Sequence, residues 1–418
     1  MGYTISQKIL AAKAGMEKVD VGQIIEAEVD YVMVNDVTGL PAFEVYDENF
    51  SEITPKRDKI VLIPDHYVPN KDIRSAEQAK AMRDFAQKYK IPNYFEVGRG
   101  GVCHQIMIEE GFIAPGRLVV GADSHTCSYG ALGAFSTGIG STEAACIMAS
   151  GKLWFKVPET LKFVIEGKLP KYSMGKDIVL HQIGDIGVDG ALYKAMEYYG
   201  STIEGLDLAG RISISNMAIE AGGKAGIIPA DEKVDRYLKD RVRDPYKAIY
   251  ADEDATYAKT ITYDASDIVP TVAEPFLPEN TKPASEVDVR IDQAYLGSCT
   301  NGRIEDMRAA AELMKGKKVK DGVRMIVVPA STDVQRKMID EGLTKVFMDA
   351  GAYVAGPTCG ACLGGYMGVL APGEVCVSST NRNFIGRMGD KESKVYLANP
   401  YVVAASAITG KITDPNDL

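Results

Sequence analysis

The 418-residue chain has no uninterrupted run of eighteen apolar residues, which excludes a membrane-spanning helix. It has no basic excess. Forty-seven Lys and Arg stand against 57 Asp and Glu, a formal net charge of −10. Such a surface repels phosphate backbones, so general nucleic-acid binding is not expected. A local basic pocket for a small acidic substrate is still allowed. Residues 1–20 are charged and amphipathic, with no secretory apolar block and no small-residue cleavage site, so the expected location is the cytoplasm. Histidine is scarce, at four, and cysteine is present at seven. An odd number of cysteines in a long chain reads as thiols available for metal binding or chemistry, not as a disulfide framework. Neither internal repeats nor low-complexity tracts occur. With 46% hydrophobic residues the chain can bury several cores without covalent staples.

The pattern alternates strand and helix. Ile25 to Met33 alternates apolar with polar residues and predicts one half-buried strand. Ile60–Ile63 and Leu118–Val120 predict buried strands. Ser75 to Lys90 predicts a helix opened by a Ser cap, and Thr142 to Leu153 another helix. In the last third, strands are expected at Asp292–Leu296, Val323–Val328 and Ala352–Ala355, with helices at Ile304–Met314 and Ser331–Asp340. Such βαβ alternation implies an α/β fold with mainly parallel sheets flanked by helices, and ligands beyond the carboxyl ends of the strands. Residues 161–285 differ: Asp231–Asp267 reads as surface and Glu274–Pro283, with three prolines, as an extended connector. Boundaries near 160 and 285 give three expected domains, 1–160, 161–285 and 286–418.

Cys299 lies in Gly-Ser-Cys-Thr-Asn-Gly, and Cys359 and Cys362 in Pro-Thr-Cys-Gly-Ala-Cys-Leu-Gly-Gly. All three follow predicted strands and can converge at one sheet edge. Structural zinc wants four ligands, and here the Cys pair has one lone partner and no adjacent His. A Cys-x-x-Cys redox pair would normally open a helix. Three thiolates also fit a [4Fe–4S] cluster with one iron lacking a protein ligand, and that iron can act on a substrate oxygen as a Lewis acid. Buried inert thiols are the remaining alternative. Cys146 and Cys376 read as packing, and Cys103 and Cys127 as pocket lining beside histidines.

Three of the four histidines fall in suggestive places: Asp65-His66 after a strand, His104 in Gly-Val-Cys-His-Gln, and Asp123-Ser124-His125 after another strand. A carboxylate beside imidazole fixes its tautomer and makes it a proton donor or relay. Glu220, in Asn216-Met-Ala-Ile-Glu220 before a Gly-rich turn, either enters a site or is a solvated residue at a helix C-cap. Arg382 and Arg387 follow a Ser/Thr-rich strand end, and guanidinium pairs match carboxylates.

Six ordered motifs, Asp65-His66, Gly-Ala-Asp-Ser-His-Thr at 121–126, Asn216-Met-Ala-Ile-Glu220, Gly-Ser-Cys-Thr-Asn-Gly at 297–302, Cys359-Gly-Ala-Cys362 and Asn381-Arg-Asn-Phe-x-Gly-Arg387, together resemble the aconitase superfamily nearly end to end, most of all the large subunits of 3-isopropylmalate dehydratase (isopropylmalate isomerase) and their homoaconitase relatives. The resemblance implies a three-domain aconitase-like architecture with its active site at an inter-domain cleft. It implies that Cys299, Cys359 and Cys362 bind a [4Fe–4S] cluster with one iron free of protein ligands. Asp65, His66, His104, Asp123, His125 and Glu220 would form the proton network, Ser124 would bind substrate, and Arg382 and Arg387 would bind the substrate carboxylate, the cluster, or both. The implied reaction is reversible loss and re-addition of water on a 2-hydroxy di- or tricarboxylate, interconverting 2- and 3-isopropylmalate in leucine biosynthesis. Homoaconitate, (R)-2-methylmalate and 2,3-dimethylmalate are the alternative substrates. The family's general base, a serine in a Gly-Ser-Ser-Arg-Glu-like motif on a swivelling domain, has no counterpart in this sequence. In these relatives that domain is a separate small subunit with a Ser-Ser-Arg loop, so the chain is expected to be inactive alone. Asn35-Asp36 stands where many large subunits carry His-Asp, and Tyr366 where relatives often carry His. Some relatives lose the cluster and bind RNA. The acidic charge and the three retained cysteines argue against that alternative.

Overall fold

The structure, a computed structural model, describes residues 2–418. The chain divides into two compact units: Met1–Ile165 with Ala191–Tyr263, and Glu166–Gly190 with Asp264–Leu418. The expected division into three consecutive segments differs from this, because residues 161–285 are shared between the two units.

The first unit carries a five-stranded parallel sheet in the order Asn93–Tyr94, Ile60–Ile63, Tyr31–Asn35, Leu118–Gly121, Phe135–Gly138. Its central strands are buried along their whole length, as a parallel sheet covered on both faces requires. The expected single strand from Ile25 to Met33 is two. Ile24–Glu28 forms an antiparallel ribbon with Lys152–Lys156, alternating exposed and buried, and Tyr31–Asn35 enters the main sheet. The break falls at Asp30, whose carboxylate accepts from the Leu118 amide and pairs with Lys13. A second sheet orders Ala225–Ile227, Ala195–Tyr199, Thr160–Glu166 and Lys259–Asp264.

Two helix boundaries need correction. The helix predicted from Ser75 is Ile73–Tyr89. Asp72 is its N-cap, and Ser75 sits three residues in, completing a reciprocal capping box. The helix predicted over Thr142–Leu153 is Ser141–Ser150, because Gly151 takes a left-handed conformation (φ +79°) and the ribbon strand begins at once.

The second unit is built on a seven-stranded sheet. Four of its strands run parallel in the order Val375–Ser378, Gln293–Leu296, Arg324–Val327, Tyr353–Val354, and Lys394–Ala398 pairs parallel outside Val375–Ser378. Helix Ile304–Met314 forms as expected, with Asp306 capping the Arg303 amide. Ser331 caps helix Thr332–Asp340 by accepting from the Val334 amide. The stretch read as an extended connector folds back instead. Thr271–Ala273 and Thr281–Pro283 pair antiparallel, and the Asn383 carboxamide donates to the carbonyls of Ala273 and Glu274. The mainly parallel α/β expectation holds in both units. No helix among the described residues is long and apolar enough to cross a membrane.

Candidate active-site clusters

Each parallel sheet presents chemistry at the carboxyl ends of its strands. In the first unit Asp36 follows Tyr31–Asn35, Asp65 and His66 follow Ile60–Ile63, and Asp123 to His125 follow Leu118–Gly121. His104 comes from helix Cys103–Glu109. These residues meet around Asp123. His104 Nε2 lies 2.9 Å from Asp123 Oδ1, the His125 amide donates to the same oxygen at 2.9 Å, and His66 Nε2 stands 3.6 Å from Oδ2. The Asn35 carboxamide also donates to Oδ2, at 3.2 Å. Burial alone would push the Asp123 carboxyl up. The charge and hydrogen bond of His104, with His125 and His66, outweigh it and hold the group well below the usual carboxylate range.

Each imidazole has a second anchor. His66 Nδ1 is 2.6 Å from Asp65 Oδ1, His104 Nδ1 is 3.0 Å from the Tyr129 hydroxyl, and His125 Nε2 is 2.9 Å from Glu220 Oε1. Burial opposes charge on His66, but Asp65, Asp36 and Asp123 prevail and raise its pKa to about 10. His66 is therefore a charged imidazolium at neutral pH. Asp36 fixes the turn beneath it by accepting from the amides of Asp65, His66 and Tyr67.

Glu220 is 3% exposed, which decides between the two sequence readings: it is a buried partner of His125, not a solvated cap. Its short helix, Met217–Ala221, does end on a left-handed glycine, Gly222. That turn is stitched to the His125 segment. The Asn216 carboxamide donates to Ser128 Oγ at 2.8 Å, and the Ile228 amide donates to the Gly130 carbonyl at 2.9 Å. Gly130 permits this approach, since a Cβ there would collide with the Gly226 backbone. Ser124 is half-buried beside Asp123. Cys103 and Cys127 are buried; the Cys103 amide donates to Asp65 Oδ2 at 2.7 Å, and the Cys127 thiol faces the Asn216 carbonyl at 3.3 Å.

In the second unit the thiols follow the same rule. Cys299 lies beyond Gln293–Leu296, Cys359 and Cys362 beyond Tyr353–Val354, and Asn381 beyond Val375–Ser378. All seven cysteines of the chain are unbridged, and these three are buried. One carboxamide spans two of them. Asn381 Nδ2 donates to Cys299 Sγ at 3.3 Å, and the Cys362 thiol donates to Asn381 Oδ1 at 3.6 Å. Ser298, one residue before Cys299, holds φ +81°, a conformation that L side chains rarely adopt. Such strain is characteristic of functional loops and costs roughly 1–3 kcal/mol. Arg303 pins the same loop by donating to the carbonyls of Cys299 (2.6 Å) and Thr300 (2.7 Å).

The donor set suits a thiolate-bound iron–sulfur cluster. Three soft sulfur donors stand on two turns of one sheet edge, Cys299 on one and Cys359 with Cys362 on the other, and the Cys359–Gly364 turn is made close-fitting by glycine. A Cβ at Gly360 would collide with the Tyr295 hydroxyl, and one at Gly364 with the Arg387 carbonyl. The second contact lays the Arg382–Arg387 loop against the cysteine turn. Arg382 and Arg387 are both half-buried there. Cys376 is a packing residue in strand Val375–Ser378, its thiol pushed up to about 12 by burial, as the sequence suggested. Sequence reasoning assigned no role to four residues that organise the clusters: Asn381, Arg303, Tyr129 and Asp36. Asn381 had a signal, its place in Asn-Arg-Asn before the two arginines. Tyr129 had none, since only the fold carries it to His104.

Comparison with known proteins gives consistent matches. The Aconitase family (aconitate hydratase) matches residues 7–288 and 279–410. The 3-isopropylmalate dehydratase large subunit of Thermodesulfovibrio yellowstonii is 54% identical over 419 residues, covering 100% of both chains. That of Caldicellulosiruptor saccharolyticus is 55% identical, covering 99% of this chain and 97% of its own. The large subunit 1 of Pyrococcus abyssi is 53% identical, covering 100% of both. Among solved structures, the holo-form of Thermococcus kodakaraensis aconitase X has a TM-score of 0.51 at 14% identity, covering 93% of each chain, a likeness of fold alone.

Proposed function

The chain belongs to the aconitase family, and from that premise we propose that it is the cluster-bearing large subunit of a hydro-lyase interconverting 2- and 3-isopropylmalate through loss and re-addition of water. The observation that carries the reading is the Asn381 carboxamide shared by Cys299 and Cys362, in a chain that aligns end to end with 3-isopropylmalate dehydratase large subunits. Cys299, Cys359 and Cys362 would hold a [4Fe–4S] cluster. When bound, the cluster supplies a Lewis-acidic iron that polarises the substrate hydroxyl.

The remaining work falls to side chains of this chain. His66, charged at neutral pH and oriented by Asp65, holds a proton at Nε2 for the departing hydroxyl. Asp123 keeps His104 and His125 oriented from one carboxylate, and Glu220 and Tyr129 fix their far nitrogens. Ser124, Arg382 and Arg387 are assigned to the substrate, the arginines to its carboxylates through charge-assisted hydrogen bonds. The general base that removes the carbon-bound proton is assigned to a separate small subunit carrying a Ser-Ser-Arg loop. The relatives' designation as large subunits supports that partner.

The test is anaerobic reconstitution with ferrous iron and sulfide, followed by turnover of 3-isopropylmalate with and without a family small subunit. The expected result is about four irons and four sulfides per chain, with activity only when both subunits are present. Full activity of the chain alone, or about one zinc per chain, would overturn the reading.

A further inference from the structure

Lys176 is fully buried, with 0% exposure, and lies in the first turn of helix Gly175–Ile186. Neither feature is favourable on its own. Burying an ammonium costs several kcal/mol unless it is well partnered, and a cation at a helix N-terminus opposes the helix dipole. Its ammonium donates to two backbone carbonyls, Ser379 (3.3 Å) and Thr380. These carbonyls immediately precede Asn381, the residue whose carboxamide spans Cys299 and Cys362. The same segment is locked to the Cys299 turn, for the Gly297 amide donates to Ser379 Oγ at 2.9 Å and Ser379 Oγ donates back to the Gly297 carbonyl at 3.1 Å. Asp177, the next residue, anchors the helix start. Its carboxyl accepts from the amides of Met174 (2.7 Å) and Thr271 (2.8 Å) and from the Asn399 carboxamide (2.7 Å).

We propose that Lys176 is a positioning residue of the thiol site: it clamps the Ser379–Thr380 carbonyls so that Asn381 stays across Cys299 and Cys362, and it sets a buried positive charge beside the bound cluster. The inference rests on the cluster reading above. Arg303 is the parallel in the same unit, pinning the Cys299 and Thr300 carbonyls. A fixed positive charge favours the more negative, reduced state of a cluster, so removing it moves the reduction potential downward. Loosening the clamp exposes the cluster to loss, since outer-shell partners of metal ligands typically matter about 10–100-fold in affinity.

The experiment uses the full-length chain as wild type, Lys176→Met, Lys176→Gln and Lys176→Arg. Each is reconstituted anaerobically and followed by iron and sulfide analysis against a chelator, by redox titration with electron paramagnetic resonance, and, before reconstitution, by hydrogen exchange over residues 378–383. Lys176→Met is expected to lose its cluster about tenfold faster or more, with a more negative potential and faster exchange in that segment. Lys176→Arg keeps the charge and should hold the wild-type potential. Unchanged retention and potential in Lys176→Met would overturn the proposal, as would a potential in Lys176→Arg that moves as far as in Lys176→Met. If Lys176→Met fails to fold by circular dichroism, Lys176→Gln decides. It keeps a donor but no charge, so a wild-type potential there overturns the charge role. If the wild-type chain takes up no iron and sulfide, the cluster reading falls instead. The exchange measurement then still decides the clamp, which an unchanged segment would refute.

Discussion

The two units place their functional groups at the same architectural position, the carboxyl edge of a parallel sheet, but hold them by opposite means. In the first unit the groups fix one another. Three imidazoles and a carboxamide converge on Asp123, and their pairing holds the Asp123 carboxyl low while the carboxylates around His66 raise its imidazole. In the second the donors are sulfurs, and their surroundings do the fixing: a shared carboxamide, two cations clamping carbonyls, and glycines that let turns close. A proton-handling site needs charges coupled to one another. A site for a preassembled inorganic group needs rigid donors around a space of set size.

That contrast can be broken at four points, of decreasing effect. Cys362→Ser should abolish cluster content and lower 3-isopropylmalate turnover, with the small subunit present, by about three orders of magnitude or more, because Lewis-acid stabilisation is worth several kcal/mol. Retained iron and sulfide in that variant would remove the thiol site from the reaction. Asp123→Asn should leave iron and sulfide unchanged while lowering kcat about a hundredfold or more, as expected for disabled acid–base groups. Equal loss of cluster and turnover would show that the two sites are not separable in this way. Asn381→Ala should cost about tenfold in cluster retention against a chelator, with the imidazole site untouched.

The smallest effect is in stability against pH. His66 has a folded pKa of about 10 against about 6.5 unfolded, so its contribution is complete below pH 6.5 and fades as pH rises through 10. The Tm advantage of wild type over His66→Asn should therefore decline by a few degrees between pH 6.5 and 10. A difference that is flat with pH would mean that His66 is not held charged.

Legibility followed the range of the interactions. Ile304–Met314 and the Ser331 cap were readable because capping and periodicity act within a few residues. The ribbon at Ile24–Glu28 was not, since the break at Asp30 answers an amide at Leu118, 88 residues away. Nor was the hairpin over Thr271–Pro283, which depends on Asn383 filling its carbonyls. The cysteines, histidines and arginines stand out by motif, whereas Glu220 has two readings in the sequence that only its pairing with His125, 95 residues away, separates.

By itself the sequence determined the alternating elements, the parallel sheets and the kinds of donor delivered to their edges, because periodicity, caps and glycine turns are written in neighbouring residues. Only the tertiary structure decided which donors share a partner. The convergence of three imidazoles on Asp123, of two sulfurs on Asn381, and of the Lys176 ammonium on Ser379 and Thr380 depends on segments up to 204 residues apart, brought together by sheet order and core packing. No local pattern encodes that sum of long-range contacts.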